Sequence, residues 1–178
     1  ELLKQQADSI GIPLTILEFD LTAPSDEYKK SMEMHIEKFK EKQLNIALFG
    51  DLYLENLRNQ RIDNCRRQSI QAEFPLWNSK PRELLQEFIS LGFKSIITCV
   101  DGSMLDESFV GRVIDESFLN DLPDYVDICG ENGEYHSFVF DGPIFRKPVE
   151  FEIVSRYYRD YPNETNTMLN RYWYLELR

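Results

Sequence analysis

Glu131 and Glu134 bracket an Asn132-Gly133 pair, and two carboxylates held that close can bind a cation or remove a proton. Asn-Gly is the pair a two-residue hairpin favours, because both central residues take positive φ. On its far side Tyr135, Ser137 and Val139 alternate with His136, Phe138 and Phe140, the period of a strand. The spacing predicts a hairpin with the two glutamates as cross-strand neighbours, Cβ atoms roughly 5 Å apart, where like charges cost up to about 1 kcal/mol. A metal ion, an ammonium ion or an arginine between them would remove that cost, and either glutamate could then act as a base. The simpler alternative is an exposed tip whose carboxylates are solvated.

Gly50-Asp51 follows the apolar run Asn45–Phe49, which reads as a buried strand. Asp51 could coordinate Mg²⁺ or hydrogen-bond a ribose there, or simply cap the next helix. Arg58, Arg61, Arg66 and Arg67 make that helix locally basic. Arg58 and Arg61, three apart, share a side and could grip a phosphate or carboxylate with their planar forks; the alternative is a solvated face. His136 could serve as a general base or as a hydrogen-bonded structural residue. Cys129 has no base near it in sequence, which favours a packed thiol over a nucleophile. Arg112 could close over a substrate or pair with Asp115 on one helix. Asp141, in Asp141-Gly142-Pro143, reads first as a turn residue.

The run "CGENGEYHSFVFDGPIF", Cys129–Phe145, resembles the signature of the diphthine–ammonia ligase family of PP-loop ATP pyrophosphatases, its bacterial branch above all. "LFGDLYLENLRNQR" followed by "FPLW", between Leu48 and Trp77, is similar to that family's Gly-Asp and Pro-Leu-Trp strand ends. Gly92–Asp101 and Phe109–Leu119 continue the match in order, so the resemblance covers nearly the whole chain. It implies an α/β protein: a truncated Rossmann-like parallel sheet of adenine nucleotide alpha hydrolase type over residues 1–79, then an α+β substrate domain with antiparallel strands over 80–178.

The same resemblance implies ATP-dependent amidation, in which a substrate carboxylate is adenylated, pyrophosphate leaves and ammonia attacks the acyl adenylate. A carboxylate is a poor electrophile, so activation supplies the leaving group. On this resemblance Glu131 and Glu134 handle ammonia or metal, while Asn132, Gly133, His136 and Arg112 hold substrate. Gly50, Asp51 and Arg58 hold ATP, with Mg²⁺ on Asp51. Relatives also carry, upstream of the region matched here, a Ser-Gly-Gly-Lys-Asp-Ser type loop that cradles the ATP phosphates. The chain opens at Glu1 in what reads as mid-helix and contains no Gly-rich phosphate loop. The expectation is that this segment precedes Glu1 and that the chain alone is inactive.

Diphthamide-making members carry a Glu-Gly-Gly-Glu-Tyr-Glu-Thr turn and an Arg-Val-Glu segment. This chain has Glu131-Asn132-Gly133-Glu134-Tyr135-His136-Ser137 and Arg61-Ile62-Asp63. The departure opens the substrate to another small-molecule or protein carboxylate, a corrinoid carboxylate among them. Two alternatives stand beside the ligase: a non-catalytic nucleotide-binding module, and a tRNA- or nucleotide-modifying PP-loop enzyme.

These residues need elements to position them. Glu1–Ser9 reads as the end of a helix stopped at Gly11 and Pro13, and Leu14–Phe19 as a short strand. A helix opens at Pro24 with Ser25 as cap and Tyr28, Met32, Ile36 and Phe39 on its core face. A helix over Leu54–Ser69 and a strand ending in Phe74–Trp77 complete a strand–helix alternation that predicts a parallel sheet, with ligands beyond its carboxyl ends. Asn78-Ser79-Lys80-Pro81 is the seam between domains and the start of an amphipathic helix closed by Gly92. Ser95–Val100 is a buried strand. After Pro123 the period falls to two, as in Val149, Phe151, Ile153 and in Trp173, Leu175, Leu177, which predicts antiparallel strands.

Twenty Lys and Arg against 31 Asp and Glu leave a net charge of −11, which repels phosphate backbones and argues against general nucleic-acid binding. Three cysteines without C-x-x-C spacing suggest neither a disulfide framework nor a zinc site, as suits a reducing cytoplasm. There is no apolar run of membrane-spanning length and no basic leader. The expected partners are a carboxylate substrate, ammonium and, as one assembly, a second copy of the chain.

Overall fold

The computed structural model describes residues 1–17, 25–162 and 168–178, and of residues 25–32 the backbone alone. In chain order its elements are α1 (Leu2–Ile10), α2 (Ser25–Glu41), β1 (Ile46–Leu48), α3 (Glu55–Arg67), β2 (Gln71–Glu73), α4 (Pro81–Ser90), β3 (Lys94–Asp101), a 3₁₀ turn (Glu107–Phe109), α5 (Glu116–Asp121), β4 (Tyr135–Asp141), β5 (Ile153–Pro162) and β6 (Leu169–Leu177). They divide into two compact units, Thr15–Ser79 and the combination of Glu1–Leu14 with Lys80–Arg178.

In the unit Thr15–Ser79, β1 and β2 pair in parallel, Ile46 opposite Gln71 and Leu48 opposite Glu73. Parallel neighbours need a long crossover, and α3 supplies it. Both strands therefore end at the same edge, where the Phe49 N–H still donates to Glu73 O at 2.9 Å. The sheet is parallel as expected, but β1, read as buried, exposes Ile46 and Leu48, and two further local readings differ. Leu14–Leu17 forms no strand, while Glu18 and Phe19 lie outside the described residues. Pro24 and the side chains of Ser25, Tyr28 and Met32 also lie outside them. The strand read as ending in Phe74–Trp77 stops at Glu73, because Pro75 has no N–H for the ladder and the chain turns there. The turn closes with Asn78 N–H on Leu52 O at 2.8 Å.

The other unit is built on a four-stranded antiparallel sheet in the order β4-β3-β6-β5. β3 lies inside it, and its Ile97 and Val100 are fully buried. Phe118, Leu119, Val110 and Leu105 pack with them into one core, with Phe118 edge-on to Tyr135 at 5.5 Å. Helix α5 starts at Asp115, whose carboxylate accepts the Phe118 N–H at 2.8 Å, a cap that satisfies an otherwise unpaired donor. Helix α1, read from sequence as part of a segment 1–79, groups with this unit. Gln6 Nε2 donates to Val139 O at 2.6 Å, and Ser9 O accepts the Arg146 N–H at 2.9 Å. Among the described residues no helix is long and apolar enough to cross a membrane.

Candidate functional site

The segment before β4 is a loop held by two acids. Asp127 Oδ1 accepts the N–H groups of Cys129 at 2.9 Å and Glu131 at 3.0 Å. Glu134 is 4% exposed, and its carboxylate accepts the Asp127 N–H at 3.0 Å, the Asn132 N–H at 3.0 Å and the Asn132 side-chain amide at 3.1 Å. Gly130 sits at φ +68, and a Cβ there would lie 3.0 Å from Tyr135 O, so the tight path requires glycine twice over. The Tyr135 hydroxyl closes the loop on Ile128 O at 2.6 Å.

This geometry corrects the hairpin. No strand precedes Asn132-Gly133, because the Asp127 carboxylate captures N–H groups that a strand would offer to β4, and Gly133 N–H folds back onto Gly130 O at 3.0 Å. Glu131 and Glu134 are consequently not cross-strand neighbours. Glu134 turns inward, where three N–H donors meet its charge, a favourable arrangement for a buried carboxylate. Glu131 is half-buried, Asn132 exposed and Gly133 half-buried. Sequence reasoning passed over Asp127; its one signal was an Asp two residues before a Cys-Gly pair, the spacing of an Asx turn.

The remaining candidates of this unit are placed separately. His136 is exposed on β4 beside Cys99, and its carbonyl accepts from Thr98 Oγ1 at 3.2 Å. Arg112 does not share a helix with Asp115, which is occupied as the α5 cap. Its Nη2 donates instead to Asp121 Oδ2 at 2.8 Å and Ser117 Oγ at 3.3 Å, with the guanidinium over the Phe109 and Phe118 rings. Burial pushes the Cys129 thiol up to about 12, with Asp127 and Glu131 adding to it, so at neutral pH it is a packed thiol; it donates to Pro81 O at 3.4 Å. Asp141 pairs with Lys94 at 2.9 Å, which holds its carboxyl below the usual value.

At the carboxyl ends of β1 and β2 the other unit assembles a layered cluster of rings and guanidinium groups. Phe49 stacks on Phe74 at 5.3 Å, and Trp77 meets Phe74 edge-on. Arg58 lies over Trp77 at 4.7 Å and over Phe74 at 5.1 Å, and Arg61 lies over Phe49 at 4.8 Å. Asp51 is 8% exposed, and its Oδ2 is 2.6 Å from Arg61 Nε, an ion pair off hydrogen-bond alignment. Arg58 Nε is buried without a hydrogen-bond partner. Arg66 and Arg67 turn away to Asp63 and Asn64 on the exposed side of α3. Arg58 and Arg61 thus lie over rings at the strand ends, and Arg66 and Arg67 on a solvated face.

Comparison with known proteins supplies the remaining observation. The family described as the diphthamide synthase C-terminal domain matches residues 80–172. Over 130 residues the chain is 32% identical to the diphthine–ammonia ligase of Bos taurus and 31% identical to that of Homo sapiens, in each case 70% of this chain and 48% of the relative. It is 33% identical to the Danio rerio diphthine–ammonia ligase over 102 residues. The chain spans about half the length of the curated relatives it matches.

Proposed function

This chain belongs to the family of the diphthamide synthase C-terminal domain, and we propose that its protein is an ATP-dependent ligase that amidates a carboxylate with ammonia. The observation that carries the reading is the family match itself, which spans the acid loop and both glutamates. Diphthine is what the relatives' names give as their substrate; for this chain the acceptor is a small-molecule or protein-borne carboxylate, with ammonium as its partner in the reaction.

In this reading the two glutamates divide the work. Glu134 keeps the loop in shape through its three N–H donors, and Glu131, nearer the surface, takes a proton from ammonium so that the amine can attack. Asn132 and Gly133 position the loop tip, the Asn132 amides held by Glu134 and the Gly133 N–H by Gly130 O. His136 and Arg112 contact substrate, Arg112 by exchanging its bond to Asp121 for one to an anion.

ATP, when bound, supplies the leaving group that makes a carboxylate acylable. The residues present fit it at Gly50 and Arg58, whereas Asp51 is taken up by Arg61: a Cβ at Gly50 would meet only open space, and the unpartnered Arg58 Nε leaves a cation able to accept an anion. Magnesium does not fit at Asp51, which is occupied by Arg61. No group of three or more metal-ligating side chains exists among the described residues, and no step is assigned to a metal.

The test is ammonium-dependent release of pyrophosphate from ATP by the protein as encoded in full, offered a panel of carboxylates. Amide formed in step with pyrophosphate supports the ligase. Nucleotide binding without pyrophosphate release on any carboxylate would make it a non-catalytic nucleotide-binding module.

A further inference from the structure

β5 is the terminal strand of the order β4-β3-β6-β5, so its outer edge pairs with no strand among the described residues. All of its residues except Ser155 are exposed. β3 backs β6 only at Tyr172–Tyr174, whereas β5 and β6 pair from Ile153 to Pro162. Most of the hairpin is thus a two-stranded ribbon, an arrangement that is marginal in water on its own. Its surface is also partly apolar, with Val154, Tyr158, Tyr161 and Leu169 exposed. Proteins commonly blunt such an edge with Lys, Pro or a bulge, and between Ser155 and Tyr161 there is none of these.

Those residues do carry charge, and its order is self-complementary. Alternate residues of an antiparallel strand turn their N–H and C=O groups to the same side. Two copies of β5 can therefore pair about a two-fold axis only when one residue lies opposite its own counterpart. An axis at Arg156, Arg159 or Asp160 sets like charges face to face, and one at Tyr157 sets no charge against a charge. An axis at Tyr158 places Arg156 opposite Asp160 of the second copy, twice, and Tyr157 opposite Arg159. Cross-strand neighbours stand roughly 5 Å apart at Cβ, where opposite charges and ring–cation pairs are favourable. Arg171 of the same chain already fixes the centre, lying over the Tyr158 ring at 4.0 Å and holding Asp160 at 2.8 and 2.9 Å. The Asp160 carboxylate keeps lone pairs for a second guanidinium. β5 and β6 carry three arginines, Arg156, Arg159 and Arg171, against two acids, Asp160 and Glu176, in a chain of net charge −11, so the repulsion between two acidic copies is relieved along this edge.

We propose that β5 pairs antiparallel with β5 of a second copy of this chain, Tyr158 on the two-fold axis, so that the sheet β4-β3-β6-β5 continues into that of its mate. The same edge serves both copies, and the contact closes at two. The proposal goes beyond the amidation reading and does not rest on it.

The test is the mass in solution of the protein as encoded in full, by sedimentation equilibrium between about 1 and 100 µM. The expected result is a dimer with a micromolar dissociation constant. Tyr158→Cys should form a disulfide with its own counterpart under mild oxidation, because residues facing each other on the axis come within disulfide reach. Ser155→Cys, opposite Tyr161 and far from its counterpart, should form none. Arg156→Glu, which sets acid against acid twice, should weaken the dimer at least about tenfold. Mixed with Asp160→Arg it should form a heterodimer, since both exchanged pairs are again of opposite sign. Where circular dichroism shows that Asp160→Arg does not fold, the crosslink and Arg156→Glu decide. A monomer at about 100 µM leaves the edge to solvent or to a strand of another protein and overturns the proposal. So does a dimer whose affinity Arg156→Glu leaves unchanged, or one that Ser155→Cys crosslinks and Tyr158→Cys does not.

Discussion

Glu134 accepts the backbone N–H of Asp127 at 3.0 Å, so the acid at the end of the loop ties down its beginning. Replacing Glu134 with Gln puts an amide donor among N–H donors and leaves at least one of them unpaired in a buried place. The expected loss of stability is about 1–3 kcal/mol, read by denaturant unfolding. Glu131→Gln, nearer the surface, should cost less stability than Glu134→Gln in the same measurement. In the amidation reading it should lower ammonium-dependent product formation by roughly 10² to 10⁴ while substrate-dependent pyrophosphate release persists. The opposite pattern, in which Glu131→Gln unfolds the loop and Glu134→Gln removes turnover, would exchange the two roles.

Arg58 lies over Trp77 and Phe74 with its Nε free of hydrogen bonds. Lysine keeps the charge but loses the flat face and the fork. Arg58→Lys should therefore cost about 0.5–1 kcal/mol of stability and, in calorimetry on the protein as encoded in full, weaken ATP binding by about tenfold. Unaltered ATP affinity would assign Arg58 to packing alone.

Asp160 receives Arg171 at 2.8 and 2.9 Å, and that guanidinium holds its carboxyl below the usual value. The charged form is thus favoured by the fold. Its contribution is fully present above the ordinary carboxylate pKa, about 3.9, and is lost as pH falls through the lower folded value. Amide-exchange protection of the β5–β6 hairpin should hold between neutral pH and about 5, then decline below about 4. Asp160→Asn should flatten that decline, and a variant whose acid profile matches the parent would show that the exposed pair contributes nothing.

Cys129 is pushed up to about 12, chiefly by burial. At pH 8 it should resist alkylation by iodoacetamide in the folded chain and react only after unfolding, as peptide mass mapping would show. Cys129→Ala should leave turnover within about twofold. Rapid modification of the folded protein, or loss of activity in the alanine variant, would make the thiol a participant.

Much of the fold follows from local pattern. The 3.6-residue period of Leu84, Leu85, Phe88 and Ile89 produces α4, the apolar run around Ile97 produces the buried β3, and the period of two in Trp173–Leu177 falls in β6, whereas the same period in Val149–Ile153 overreaches, the chain being irregular up to Glu152 and β5 starting at Ile153. Gly50-Asp51 falls beyond a strand end for the same reason, since residue spacing along one chain determines where an element stops. Contacts between distant segments were decided only by tertiary structure. Asn132-Gly133 carries a hairpin signal, but whether a strand precedes it depends on Asp127, whose carboxylate competes for the same N–H groups. Arg112 had acids three and nine residues on, and the N-cap of α5 consumed the nearer one and left Asp121. Arg58 over Trp77 and Arg61 against Asp51 join residues that no periodicity relates, because a side chain's partner is chosen by packing in space and only its element by neighbours in sequence.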